Sequence, residues 1–211
     1  MRVAVLFGGL SEERDVSVAS GIQAMLALER AGHDVVAIDT ARGILEPAER
    51  DRLLATGVPA EPPSGGDLMR TGQGAAGLLG RTSDLRRADV VFIALHGGSG
   101  EDGTVQALLD LVGVPYTGTG HLGSACAMDK DVAKRLFRSA GVPTPDWRMA
   151  PITPADVRQH LGLPVVVKPT SRDPRSVCRW SEATTTSDLR SRSPHGSTMR
   201  SWWNGSWRGA N

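Results

Sequence analysis

Two apolar runs that end in glycine constrain this chain more than any other feature. Val3–Phe7 stops at Gly8-Gly9, and the segment Asp89–Leu95, with VVFIAL inside it, runs through His96 into Gly97-Gly98. Runs that are apolar at every position suit strands covered on both faces, as in a parallel sheet flanked by helices. Between them, Ser17–Ala31 predicts a helix with Val18, Ile22, Met25 and Leu26 on one face and Gly32 as its stop. His33–Asp39 predicts a second strand, so the chain opens β-α-β. Residues 56–82 are rich in Gly and Pro and predict a loop-rich connection, with a short helix around Leu53 or near Leu78. Asp102–Leu111 predicts a helix with Val105, Leu108 and Leu109 inward, and Val114–Thr117 a short strand. From about Thr119 a second unit begins. It holds a helix over Lys130–Ala140 burying Val132, Ala133, Leu136 and Phe137, an extended Pro-rich passage, a helix near Pro154–Leu161 and a strand at Pro164–Lys168. Strands alternating with helices imply an α/β fold. In such sheets ligands bind beyond the carboxyl ends of the strands, where both glycine segments fall.

Composition narrows the function classes. A length of 211 residues suffices for one or two domains, and a formal net charge of +1 gives no global field toward nucleic acid or an anionic membrane. The first apolar run is shorter than a signal h-region and far shorter than a membrane span, so a soluble protein is expected. Cys126 and Cys178 form neither a metal-type spacing nor a disulfide scaffold, which fits a reducing, cytoplasmic setting.

Four segments carry the types of residue that chemistry needs. In Gly8-Gly9-Leu10-Ser11-Glu12-Glu13-Arg14-Asp15-Val16-Ser17, glycines at a strand end permit close approach to a ligand, and the following helix offers unpaired N–H groups. The acidic cluster fits equally a role limited to capping that helix. In Ala94-Leu95-His96-Gly97-Gly98-Ser99-Gly100-Glu101-Asp102-Gly103, a histidine at a strand end is followed by glycines and two carboxylates. A lone histidine there would more often be structural; its glycine company favours a site. The spacing is neither a dinucleotide fingerprint nor a Walker loop. The third segment is Met128-Asp129-Lys130 at a helix start, the fourth Val165-Val166-Val167-Lys168-Pro169. A lysine ending a buried strand needs an anion or water, and phosphate suits a point charge; a lysine simply reaching solvent is the alternative.

In order and separation, GG-x-S-x-E-R-[DE]-V-S, A-L-H-G…G-E-D-G, V-P-Y-T-G, S-A…M-D-K and P-V-V-V-K-P resemble the D-alanine–D-alanine ligases, over residues 1–171. The resemblance implies an α/β protein: an N-terminal parallel-sheet (pre-ATP-grasp, Rossmann-like) domain over 1–118 and the start of an incomplete ATP-grasp α+β domain over 119–171; the composition of 172–211, where the resemblance ends, predicts an aberrant, disordered tail. It implies that Glu13 holds the ammonium of the first D-alanine, that Ser17 orients Glu13 as part of the catalytic set, and that His96 sits beside the substrate carboxylate. Lys130 and Lys168 would bind ATP phosphates. Mg²⁺ would be held by residues beyond the resembling part. Leu10 departs mildly from the small polar residue common in this family. The implied reaction phosphorylates one D-alanine carboxylate so that a second amine can attack it, in peptidoglycan synthesis. Such chemistry is mostly positioning and charge stabilisation. D-alanine and ATP are the implied partners, with a homodimer through the N-terminal domain and neither nucleic acid nor membrane. D-alanine–D-lactate ligases share these motifs. A small amino-acid-binding or dimerising N-terminal module without catalysis is the alternative reading. A different ATP-grasp ligase fits less well, because Glu13 and His96 stand in these motifs.

After Ser171 the resemblance stops. Residues 172–211 contain seven Arg, eight Ser and four of the five Trp, with no Lys, Ile or Phe, and no helical or strand period. Plausible GC-rich codons for these residues, read from each codon's third base, give a string with alternating strand patterns, a helix pattern and a G-R-E-L ending. One base lost beside Ser171 would produce this tail. The chain as written is then expected to lack ligase activity. Resequencing the gene across the codons for Lys168–Asp173 is expected to restore the frame with one extra base; an unchanged read would instead mark a broken gene copy.

Overall fold

The computed structural model describes residues 1–56, 78, 82–163, 165–170 and 201–205. Two compact units divide the chain, Met1–Ala125 and Cys126–Asn211. The first opens with β1 (Arg2–Phe7), α1 (Arg14–Arg30) and β2 (Asp34–Asp39), followed by β3 (Gly43–Ile44) and α2 (Pro47–Thr56). A short α3 (Thr82–Leu85) leads to β4 (Val90–Ile93), a 3-10 turn (Gly98–Gly100), α4 (Thr104–Val112) and the first residues of α5 (His121–Met128). The sheet order is β3-β2-β1-β4. β1 runs parallel to β2, Arg2 opposite Asp34 through Phe7 opposite Asp39, and parallel to β4, Val3 opposite Val90. β3 is antiparallel to β2, and the expected strand at Val114–Thr117 is reduced to one parallel bridge between Tyr116 and Val91.

The alternation along β1 sets the two cores. Val3, Val5 and Phe7 pack with Val18, Ile22 and Met25 of α1, while Ala4 and Leu6 pack with Val105 and Leu109 of α4. This period of two on a strand buried from both sides is why the run is apolar throughout. Gly21 lets α1 lie close on the sheet, since a Cβ there would stand 2.6 Å from the Phe7 Cβ. Leu78 is buried in the α4-side core and Leu53 lies in α2; the rest of the expected loop-rich connection falls largely outside the described residues.

α1 begins three residues ahead of the expected Ser17, with Glu13 as its N-cap residue. The Glu13 side chain makes no cap hydrogen bond, so the purely capping reading of the acidic cluster does not hold for this residue; Asp15 lies in the first turn, where a negative charge suits the helix dipole.

The second unit contains α6 (Lys130–Ser139), β5 (Trp147–Met149), α7 (Pro154–His160), β6 (Val165–Pro169) and β7 (Ser201–Gly205). α6 is capped by Asp129, whose side chain accepts from the N–H groups of Asp131 and Val132, and α7 by a Thr153–Asp156 capping box. The side chain of Asp156 is held below the usual carboxylate range by its hydrogen bonds with Thr153.

The expectation for the face of α6 is corrected. Val132, Leu136 and Phe137 are exposed, and Asp131 and Lys134 are the buried residues. The cause is Trp147: its indole Nε1 donates to Asp131 at 2.9 Å, while Lys134 donates to the Pro145 carbonyl at 2.5 Å and lies 5.1 Å from the Trp147 ring centroid. Burial, and then the neighbouring charge of Arg138, lower the Lys134 pKa from the ordinary lysine value. Within 172–211, where the sequence shows no strand period, Ser201–Gly205 nevertheless forms the middle strand of a β5-β7-β6 sheet, antiparallel to both neighbours. A backbone ladder does not require a side-chain period. The remaining expectations for 172–211 lie outside the described residues.

Candidate functional site

The first unit gathers its candidate residues where β1 and β4 end. Ser17 is fully buried on α1, and its hydroxyl accepts from the Gly8 N–H at 2.8 Å while donating to the Ala94 carbonyl at 2.7 Å. One side chain thus ties the loops after both strands. Its backbone N–H donates to the Glu13 carbonyl at 2.9 Å, so the link from Ser17 to Glu13 runs through the main chain.

Beneath the 8–14 loop lies a buried ion pair that the motif reading missed. Arg14 Nη2 pairs with Asp39 Oδ2, and Nη1 reaches Asp39 Oδ1 at 3.0 Å and the Gly9 carbonyl at 2.9 Å. Asp39 Oδ1 also accepts from the N–H groups of Ala41 at 2.9 Å and Gly9 at 3.4 Å. The sequence signal was available: a carboxylate closing an apolar strand needs a partner when buried.

Glu13 and His96 come together across Gly97. That glycine has φ +69, and a Cβ on it would stand 3.1 Å from Glu13 Oε2 and 3.3 Å from the Ser11 Cβ. The loop therefore passes so near Glu13 that a Cβ would push the carboxylate aside, and does so in a backbone conformation that side chains rarely adopt. His96 is held at several points. Its carbonyl accepts from the Ser11 hydroxyl at 2.5 Å, its Nε2 lies 2.9 Å from Ser20 Oγ, and its Nδ1 lies 4.0 Å from Glu101 Oε1. A carboxylate and an imidazole carried on the two loops that meet at this strand end, both partly open to solvent, suit a zwitterion: one end cationic, the other anionic. Ser20 was missed in the motif reading although it stands at i+3 from Ser17, on the same helical face.

The loop continues into α4 through Gly103, which has φ +92. A Cβ there would press into the main chain of His121, at the start of α5. His121 Nδ1 in turn meets Asp110 Oδ2 at 2.6 Å, and Asp110 Oδ1 accepts from the Tyr116 hydroxyl at 2.8 Å. These hydrogen bonds, that of His121 first, hold the Asp110 carboxyl below its ordinary range; burial and then the Asp110 bond raise the Tyr116 phenol above its own.

Lys130 and Lys168 belong to the second unit. The Lys130 N–H donates to the Thr170 carbonyl at 2.9 Å, which joins the start of α6 to the end of the strand carrying Lys168. Both lysines thus stand on elements tied together by one backbone bond. A cavity of about 370 Å³ is lined by Arg135, Arg138, Trp147, Arg148 and Met149. Its arginines already have acidic or carbonyl partners: Arg135 with Asp131, Arg138 with Asp146, and Arg148 with the Trp147 carbonyl. Among the described residues no group of three or more His, Cys, Asp or Glu could hold a metal ion. The donor set of the described residues therefore does not fit Mg²⁺. Nor is any helix among them long and apolar enough to cross a membrane.

Comparison with known proteins identifies the family. The family model described as "D-ala D-ala ligase N-terminus" matches residues 2–119. The D-alanine–D-alanine ligase of Halorhodospira halophila is 44% identical over 168 residues, covering 80% of this chain and 43% of that protein. That of Deinococcus radiodurans is 42% identical over 178 residues, covering 80% and 49%. The chain thus spans less than half the length of these curated relatives. Among solved structures, a Bacillus anthracis D-alanine–D-alanine ligase complexed with ATP aligns with a TM-score of 0.58 at 31% identity, covering 81% of this chain and 48% of the other. The Coxiella burnetii D-alanine–D-alanine ligase aligns at 0.63 and 25% identity, covering 99% and 64%. Since the family model matches more than half of its residues, this chain belongs to the D-alanine–D-alanine ligase family.

Proposed function

We propose that this chain carries the first-substrate site of an ATP-dependent D-alanine–D-alanine ligase of peptidoglycan synthesis. One observation supports this above the others: the Glu13 carboxylate and His96 flank Gly97 at the carboxyl ends of parallel strands. Glu13 takes the ammonium of a D-alanine, and His96 faces the carboxylate that reacts. Ser17 holds the two loops that present them, and fixes the main chain of Glu13. Lys130 and Lys168 take ATP phosphates as point charges. ATP supplies the phosphoryl group that activates the carboxylate. A homodimer through the first unit and a cytoplasmic setting complete this reading.

The residues after Ser171 do not follow the family pattern, so the chain as written binds D-alanine without forming dipeptide. Isothermal titration of the full chain tests the site. D-alanine is expected to bind, L-alanine to bind more weakly, and Glu13→Gln to weaken D-alanine at least tenfold, or about 1.4 kcal/mol. A charge-assisted hydrogen bond is worth about that much or more. Equal affinities for wild type and Glu13→Gln would overturn the assignment. A non-catalytic amino-acid-binding module is the second reading, favoured by the compactness of Met1–Ala125. Under that reading ATP leaves D-alanine affinity unchanged; under the ligase reading ATP alters it.

A further inference from the structure

Ser20 and Glu101 approach the His96 ring at opposite nitrogens, and neither is among the groups that meet the D-alanine or ATP. Ser20 Oγ lies 2.9 Å from Nε2, and Glu101 Oε1 lies 4.0 Å from Nδ1. A neutral imidazole has one N–H donor and one lone-pair acceptor, and its hydrogen-bond partners decide which nitrogen is which. An ionised carboxylate only accepts, so the proton belongs on Nδ1, toward Glu101. Nε2 then offers its lone pair, and the Ser20 hydroxyl donates to it. A serine inside a helix commonly donates to the carbonyl four residues back. Here the hydroxyl is directed instead at the imidazole. Ser11 fixes the His96 main chain at the same time, so the ring has little freedom to turn away.

We propose that Ser20 and Glu101 are positioning residues that hold His96 as the neutral Nδ1–H tautomer, so that it presents an N–H donor to the substrate carboxylate beside Glu13. The functional half of this inference rests on the D-alanine reading; the tautomer itself does not. At 4.0 Å the Glu101 carboxylate orients the Nδ1 proton without a direct hydrogen bond, which leaves that proton available to a ligand. Without Ser20, the ring is free to take the Nε2–H tautomer that an unconstrained imidazole favours. The donor would then point toward α1 and away from the substrate carboxylate.

The test is long-range ¹H–¹⁵N spectroscopy of the full chain with ¹⁵N-labelled histidine, at about pH 8.5, where an ordinary imidazole is neutral. The His96 signals are identified by their loss in His96→Gln. Wild type is expected to show Nδ1 protonated and Nε2 bare. Ser20→Ala should shift the pattern toward Nε2–H and lower D-alanine affinity about threefold to tenfold. Ser20→Thr, which keeps the hydroxyl, should restore both. Glu101→Gln, an exposed change that leaves α1 intact, should move the pattern partway. An Nε2–H pattern in wild type, or one unmoved by Ser20→Ala and Glu101→Gln, would overturn the proposal. The expected tautomer shifts in a chain without D-alanine affinity would support the positioning role and reject the D-alanine reading.

Discussion

Arg14→Ala is expected to destabilise the first unit by about 3–5 kcal/mol, the usual cost of leaving one member of a buried ion pair without its partner. Asp39 is fully buried and Arg14 nearly so, at 0% and 8% exposure, which rules out solvent as a substitute partner, and the half-exposed Arg42 stands 4.0 Å from Asp39 Oδ2, beyond hydrogen-bond reach. The pair joins two strand ends: Asp39 stands opposite Phe7 at the end of the β1–β2 ladder, and Arg14 also holds the Gly9 carbonyl. Its loss therefore loosens the 8–14 loop and, with it, the neighbouring Glu13. Arg14→Lys should recover little, because an ammonium cannot reproduce the forked contact with both carboxylate oxygens. Arg14→Leu combined with Asp39→Leu should recover much more, since a buried pair replaced by apolar side chains is often near neutral. Hydrogen exchange of the β1 amides reads this unit alone. A change below about 1 kcal/mol in Arg14→Ala would mean that the Arg14–Asp39 pair does not hold the strand ends together.

That pair also shows where sequence reading gained and lost. β1 and β4 were legible because a strand covered on both faces must be apolar at every position, as Val3–Phe7 and Val90–Ile93 are, and β2 through the apolar Val35–Ile38 between its two aspartates. Glu13 and His96 were legible as a pair through their motifs, and the structure places them at one strand-end cluster. Arg14 and Asp39 were not linked, because they are separated by a helix and part of a strand, and only the parallel register brings Phe7 level with Asp39. The face of α6 failed for a related reason. Val132, Leu136 and Phe137 form an apolar stripe, but periodicity cannot tell which side meets a neighbour. Trp147, which donates its N–H to Asp131 and lies beneath the Lys134 ammonium, draws the polar side inward. Ser20 escaped because its partner lies on the loop after β4, 76 residues away in sequence and beyond any local pattern.

Gly103→Ala is the second large effect, and its size can be separated into two causes. Alanine at φ +92 is strained wherever it stands, at a cost of about 1–3 kcal/mol. Here its Cβ would also run into the His121 main chain, which is backbone and cannot swing aside as a side chain would. His121 is further fastened by its ring to Asp110, whose other carboxylate oxygen is held by Tyr116, so the start of α5 cannot move away without breaking the His121–Asp110 bond. Gly32→Ala supplies the control: φ is +83 and nothing lies within 4 Å of the added Cβ. The excess loss in Gly103→Ala over Gly32→Ala measures the contact alone. The same comparison carries a functional prediction. Gly103 closes the loop that holds His96 and Glu101, so the D-alanine affinity of folded Gly103→Ala should fall, while Gly32→Ala, at the far end of α1 from Glu13, should bind as wild type does. Equal stability losses in the two variants would mean that the start of α5 yields freely, and that the hydrogen bonds of His121 and Tyr116 to Asp110 do not brace the site.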